Sequence, residues 1–412
     1  MKCNFDKQVF LSRVPEGPLA AHIGAFAGSL HEQGYALRSI RRHVLLASCF
    51  NGWLKHKGIA VCSITPEQPA QYLRYRSRQV RLWPEDASAL SKLLCFLQCE
   101  GIIPAKRVIA HQPTPVERCI RAYERHLREA RGLAEATILI HLPFIRTFLK
   151  DRFGDGPVTL SRLCARDVVR FVQRQVRRLH GGRAKLLRTA LRSFLQYARY
   201  RGDVKLDLAA SVPAVANWSI SSIPRAISAN QVRRLLASID QRAPIGLRDY
   251  AILLLLARLG LRAGAVAFLE LEDIDWKAAQ LSVRGKCGPR SEVPLPGEVG
   301  KAIVAYLRRG RPKSSSRRVF LRAKAPIRGF QGSSAIASIV RRCLARAGID
   351  APTNGAHQFR HGLATEMLRA GASLSEIGEL LDHCGPEATK IYIKVDLDAL
   401  RTLALPWPGG VR

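Results

Sequence analysis

The sequence predicts a mainly α-helical protein with a small antiparallel β-sheet in its C-terminal part, preceded by all-α helical bundles that read as a duplication. Three observations predict this. Apolar residues recur at helical spacing through the first half of the chain, between capping boxes. Gly34, Ile40, His43, Phe50 and Phe96-Leu97-Gln98 are repeated 98 residues later as Gly132, Ile138, His141, Phe148 and Phe194-Leu195-Gln196. Two short β-rich runs flanking a Gly288-Pro289 turn occur only in the second half.

At 412 residues the chain exceeds what one core organises, so it is expected to divide into domains. The pattern sets these at residues 1–108, a helical domain; 109–215, the helical unit that it repeats; and 216–412, the mixed domain. Lys plus Arg total 66 against 32 for Asp plus Glu, a formal charge of +34 spread along the whole chain. That balance implies a polyanionic partner, and nucleic acid rather than a membrane surface. The longest apolar run, Ala251 to Ala257, falls far short of the roughly 18 residues a membrane span requires. With no targeting segment visible, a cytoplasmic location is expected. The ten cysteines form no CxxC pair and no Cys/His cluster with zinc spacing. They are expected as reduced, mostly buried thiols, without a metal site.

Along the chain, Thr65-Pro66 with Gln68, and Thr114-Pro115 with Glu117, read as capping boxes with proline at the first helical position. A one-residue insertion lets Ile64 to Leu73 follow the pattern of Leu163 to Val172. Ile103 to Pro113 is expected as the linker between the two helical units. In the second unit Arg118, Arg121, Arg125 and Arg128 step by three and four opposite Ile120, Tyr123 and Leu127. Lys185, Arg188, Arg192 and Arg199 repeat the arrangement opposite Leu187, Leu191, Phe194 and Ala198. One such stripe is ordinarily a solvated helix face. Two in one small unit with few acids point to phosphate contact.

Residues 203–227 hold two prolines and lack a clean period, so they read as a second linker. Ser228 with Gln231 caps the next helix, and an apolar helix is expected around Tyr250 to Leu259. Strands are expected over Gln280 to Gly285 and Ser291 to Leu295. The stretch HQFRHGLATEMLRAGASLSEIGELLDHCGPEATKIY from His357 to Tyr392 then carries its reactive side chains toward one pocket. His357 and Arg360 share a helix face that ends at Gly371. Ser373 with Glu376 caps a helix that delivers His383, and Tyr392 follows nine residues later.

Singly, each of these residues has an ordinary structural reading: a surface arginine, a solvated hairpin lysine, a core histidine, a core tyrosine. Their order carries more. Arg262 in RLGLRAG, Lys286 in RGKCGPR, His357 and Arg360 in HQFRHGLAT, His383 in LLDH and Tyr392 in KIYIKV form a set that resembles the tyrosine recombinases, or phage-type integrases. The resemblance covers roughly residues 225–400 with high specificity. Residues 113–200 are more weakly similar to the family's SAM-like, core-binding helical domain.

The resemblance implies a site-specific DNA recombinase, an integrase of a mobile genetic element, that cuts and rejoins strands through a covalent 3′-phosphotyrosine without cofactor, ATP or metal. Tyr392 would be the nucleophile, Arg262 and Arg360 the phosphate binders, and Lys286 the general acid. His357 would assist proton removal and His383 would hydrogen-bond the phosphate. Planar guanidiniums bind the charge of a phosphoryl transition state bidentately, which gives those two positions a physical reason. Double-stranded DNA is the expected partner, gripped in a C-shaped clamp, with a homo-tetramer on paired sites and other recombinase or accessory subunits as further partners. The tail after Tyr392 would pack into a neighbouring protomer or fold back in cis. Two positions depart from the family pattern: Ala265 stands where an acid is usual, and Asp382 replaces the glycine of Leu-Gly-His. His361 is read as structural. The alternatives are a catalytically weak or inactive DNA-binding accessory protein and a type IB topoisomerase-like enzyme.

Overall fold

The computed structural model describes residues 16–104, 113–179, 181–214, 225–285, 290–382, 389 and 391–392. The chain divides into two compact units, one of residues 1–106 with 223–412 and one of residues 107–222. No helix among the described residues is long and apolar enough to cross a membrane.

The first unit begins with a bundle of α1 (Ala20–Glu32), α2 (Leu37–His56), α3 (Gln68–Ser77) and α4 (Asp86–Cys99). The second unit holds α5 (Pro115–Arg125), continued by a π turn over His126–Ala130, then α6 (Glu135–Phe153), α7 (Ala165–Val176) and α8 (Gly181–Tyr200). Apart from that π turn, the two bundles run through the same order of elements. A 3₁₀ turn precedes the third helix in each, at Val61–Ser63 and Leu160–Arg162, where the sequence alignment needs its one-residue insertion. The core contacts repeat as well. Phe26 packs on Phe96 at 5.6 Å between ring centroids, as Tyr123 packs on Phe194 at 5.2 Å. Phe50 meets Tyr72 at 5.2 Å, as Phe148 meets Phe171 at 5.0 Å. Burying each such aromatic ring contributes about 1.5–3 kcal/mol, so these pairs anchor both bundles.

Three sequence expectations shift here. Among the described cysteines Cys343 is buried, whereas Cys49, Cys62, Cys95, Cys99 and Cys164 are exposed, because they fall on outward helix faces and turns. Residues 203–214 do not act as a linker, because Val204, Leu208, Ala209 and Val212 are buried in the second unit's core. The helix expected to start at Pro66 starts at Gln68, although Thr65 N still donates to Gln68 Oε1 at 2.5 Å. Of the other linker, Ile103 is buried in the first bundle, and residues 105–112 lie outside the described residues. The bundle also touches the mixed domain within the same unit, where Ile327 N donates to Gln33 O at 2.9 Å.

The mixed domain is built on α10 (Pro244–Arg258), which follows α9 (Ala229–Ala237). Ile252 to Leu256 are all fully buried, as expected of a helix that is apolar on every side. Around it lie α11 (Ala263–Phe268), α12 (Gly297–Ala305), α13 (Ser333–Arg346) and α14 (His357–Arg369), with α15 (Leu374–Leu380) on α14. The Ser228/Gln231 and Ser373/Glu376 capping boxes both form, and Gly371 closes α14 with φ +90°. The sheet is antiparallel in the order β1 (Ile274–Asp275), β2 (Gln280–Arg284), β3 (Arg290–Pro294). Leu281 pairs with Val293 on its buried face. The strand β1, only two residues long, has no sequence signal of its own.

His43 and His141 occupy equivalent places in the two bundles and are 8% and 5% exposed. Burial lowers both pKa values from 6.5. The folded chain therefore binds fewer protons than the unfolded chain just below pH 6.5. The stability these groups contribute is present above that pH and is lost as pH falls through their folded-state values. The thermal midpoint is expected to drop between about pH 7 and pH 5, and replacing both histidines with glutamine should flatten the drop when circular dichroism melts are compared.

Candidate active site

The cluster is assembled from the exit of α10, the start of α11, the inner face of α14 and the segment after α15. The turn leaving α10 depends on Gly260. Its φ is +57°, and a Cβ there would lie 2.8 Å from Leu381 Cδ2 and 3.1 Å from Leu363 Cδ2, so a side chain is excluded on both counts. The Gly260 carbonyl accepts a 2.9 Å hydrogen bond from Arg360 Nη1. Arg360 Nη2 donates to the Leu381 carbonyl. One guanidinium thus ties α14 to the ends of α10 and α15.

Arg360 is only 5% exposed. Burial, and then the positive charge of Arg262, lower its pKa to about 10. It stays cationic at neutral pH, but at an electrostatic cost that a bound anion would relieve. Arg262 stands at the N-cap of α11. Its Nη1 donates to Asp382 Oδ2 and its Nη2 to the Asp382 carbonyl, both at 2.5 Å. Asp382 takes up φ +49° just beyond α15, a left-handed conformation that costs a non-glycine residue about 1 kcal/mol.

Tyr392 is 1% exposed and packs with Ala364, Ile377 and Leu381. Its phenol oxygen lies 3.0 Å from Nδ1 of His361. His357 stacks edge-on against His361, with 4.5 Å between ring centroids. Burial, with Arg360 and Arg262 acting in the same direction, lowers the pKa of His357. Burial pushes the Tyr392 phenol up, and Arg360 opposes that shift. At neutral pH the resting site therefore holds a protonated phenol, an uncharged imidazole at His357 and two guanidiniums.

The structure brings Arg262, His357, Arg360 and Tyr392 together. Lys286 and His383 lie outside the described residues. His361, taken as structural from the sequence, is the imidazole in contact with the phenol. Its signal was its place four residues after His357 on the same helix face. Beside the cluster, Arg262, Ala265, Ser282, Arg284, Gly285 and Arg318 line a cavity of about 680 Å³.

In the second unit Arg118, Arg121, Arg125 and Lys185 are exposed. Arg128 is engaged by Glu124 and Glu135, at 2.9 and 3.0 Å, and Arg199 by Asp207 at 2.9 Å. Arg188 is half-buried, and half-buried Arg192 donates to the Val212 carbonyl at 3.0 Å. The first stripe keeps three outward-facing arginines, whereas the second is partly absorbed into its own bundle.

Chemically, the cluster offers paired cations for a tetrahedral anion and a phenol hydrogen-bonded to an imidazole. Residues 225–398 match the model of the phage integrase family. The chain is 57% identical over 409 residues to a protein of Sinorhizobium fredii named as an integrase/recombinase, y4rA, covering 99% of each chain. It is 30% identical to tyrosine recombinase XerD of Mycobacterium tuberculosis, over 71% of this chain and 96% of that one. Among solved structures it is similar to the XerH site-specific recombinase bound to its difH substrate, with a TM-score of 0.56 at 18% identity, covering 76% of this chain and 93% of that one. It is also similar to the Tn1549 transposon integrase in complex with transposon right-end DNA, with a TM-score of 0.53 at 17% identity, covering 69% and 98%.

If the Arg262 and Arg360 charges repel one another across an anion site, inorganic phosphate should raise the thermal midpoint saturably, following RT ln(1 + [L]/Kd). The rise should vanish in Arg360→Met at matched ionic strength. An equal rise in both chains would show that the anion binds elsewhere.

Proposed function

This chain belongs to the phage integrase family of tyrosine recombinases, and from that premise we propose that it cuts and rejoins DNA at specific sites through a covalent 3′-phosphotyrosine on Tyr392. The observation that carries the proposal is the Tyr392 phenol, held 3.0 Å from the His361 imidazole in the same cluster as Arg262 and Arg360. We assign the outward-facing arginines of the second unit, Arg118, Arg121 and Arg125, to the DNA backbone. A mobile element as the host, a tetramer on paired sites and accessory subunits belong to the same proposal. The structural neighbours are recombinases and integrases bound to DNA, which supports DNA as the partner.

In the proposed reaction Arg262 and Arg360 hold the non-bridging oxygens of the scissile phosphate, where charge builds as the phosphorus becomes five-coordinate. The phenol oxygen of Tyr392 attacks phosphorus, and its proton passes toward the histidine pair His361 and His357. The bond from phosphorus to the 5′ oxygen breaks, and that oxygen takes a proton, which we assign to Lys286. His383 is assigned a hydrogen bond to the phosphate. Attack by a 5′-hydroxyl of a second strand reverses the steps and frees the tyrosine. Bond energy is kept in the phosphotyrosine, so the exchange needs no ATP and we propose no cofactor for it.

A nicked suicide substrate carrying a recombination site should trap a DNA–protein adduct on denaturing gels. Tyr392→Phe should bind the same DNA with unchanged affinity and lose the adduct by a factor of about 1000 or more. Single-turnover cleavage should stay level through neutral pH and fall as pH drops below 6.5, where His357 with its lowered pKa gains a proton. His357→Gln should lose that acid limb. An acid limb unchanged in His357→Gln would remove the histidine from the proposed proton path.

A further inference from the structure

The two places where this chain departs from its family, Ala265 and Asp382, are 117 residues apart in sequence, and the structure joins them at Arg262. Ala265 lies three residues beyond Arg262 on α11, a spacing at which side chains are neighbours, and both line the same cavity. No carboxylate reaches Arg262 from position 265. One reaches it instead from Asp382, whose side chain and carbonyl each take a 2.5 Å hydrogen bond from the guanidinium.

We propose that Asp382 is the positioning acid for Arg262, supplying from the end of α15 the buttress that position 265 lacks, so that the two departures are one compensated exchange. Three observations carry this. The first is the two-point hold itself: Asp382 uses one N–H from each terminal nitrogen, and a guanidinium has five to give. Three N–H groups stay available for a phosphate, so the contact orients the arginine without consuming it.

The second is conformational. Asp382 sits at φ +49°, just past a helix end, where glycine is the residue that fits without strain. A side chain kept there against its backbone preference is accounted for by what the side chain does. The third is connectivity. Ser291 Oγ donates to Asp382 Oδ1 at 3.2 Å, and a Cβ on Gly285 would come within 2.8 Å of Asp382 Oδ2. The carboxylate therefore links Arg262 to Ser291 of β3 and lies close to Gly285 at the end of β2. One carboxylate thus fixes the arginine relative to the β2–β3 pair and to the end of α15.

The inference rests on the strand-transfer reading, so its test begins with the wild-type chain on the nicked suicide substrate. Asp382→Gly removes the carboxylate and relieves the left-handed strain, so its thermal midpoint should not fall. Its single-turnover cleavage rate should fall on the order of 100-fold, the loss that small misplacement of a reacting group produces, while DNA affinity stays within about twofold. Asp382→Asn, which tolerates the same backbone conformation but carries no charge, should fall between the two. Adding Ala265→Glu to Asp382→Gly should restore at least about tenfold of the loss, because a glutamate three residues on can take up the guanidinium.

An Asp382→Gly chain that cleaves as fast as wild type would overturn the proposal. So would one that cleaves faster, since the carboxylate would then be a competitor for the phosphate. Failure of the double variant to recover, with its fold intact, would also overturn the compensation. A wild-type chain that forms no adduct would instead end the strand-transfer reading, and this inference with it.

Discussion

The buried guanidinium of Arg360 is the interaction on which the site depends. It reaches from α14 to the Gly260 carbonyl at the exit of α10 and to the Leu381 carbonyl at the end of α15. A charge nearly removed from water is costly unless it is hydrogen-bonded and paired. Here two main-chain oxygens meet part of that cost, and the neighbouring Arg262 adds to it, which is why the Arg360 pKa falls to about 10. Asp382 is the carboxylate held by Arg262, and an anion placed between the two guanidiniums would relieve the repulsion that is left. The fully buried leucines of α10 pack the core of the domain that carries them.

The helical repeat shows the same division between what a fold needs and what a surface does. Core positions recur in both bundles: the aromatic pairs, the buried histidines His43 and His141, and the left-handed glycines Gly34 and Gly132. The surface positions do not. With Phe26 aligned to Tyr123, the arginines Arg118, Arg121 and Arg125 of α5 correspond in sequence to Ala21, Gly24 and Gly28 of α1. The two bundles thus share their packing, while α5 carries a basic face and α1 has no arginine at the matching positions. The N-terminal copy instead meets the mixed domain through Gln33 and Ile327.

Much of the fold was legible because its signals are local. The Ser228/Gln231 and Ser373/Glu376 boxes, the all-apolar helix through Ile252 to Leu256, and the antiparallel pair of β2 and β3 each depend on residues a few places apart. Residues 203–214 misled because Val204, Leu208 and Val212 pack without a helical period, and a chain that buries side chains irregularly resembles a linker. Arg262, His357, Arg360 and Tyr392, which the structure places near one another, stood out by their order and contexts. The Arg262–Asp382 pair did not, since nothing local marks two residues 120 apart as partners. His361 was passed over for a different reason: a histidine beside a functional arginine is ordinarily packing, and only the three-dimensional placement of Tyr392 puts its Nδ1 on the phenol.

The central claim is that a buried phenol beside two guanidiniums takes the DNA strand onto itself. Digestion of a trapped DNA–protein adduct with trypsin and nuclease, followed by peptide mass spectrometry, tests it most directly. A nucleotide-phosphate mass is expected on the peptide Ile-Tyr-Ile-Lys that contains Tyr392, with the DNA joined through its 3′ end. A modification on any other residue, or a 5′ linkage, would contradict it.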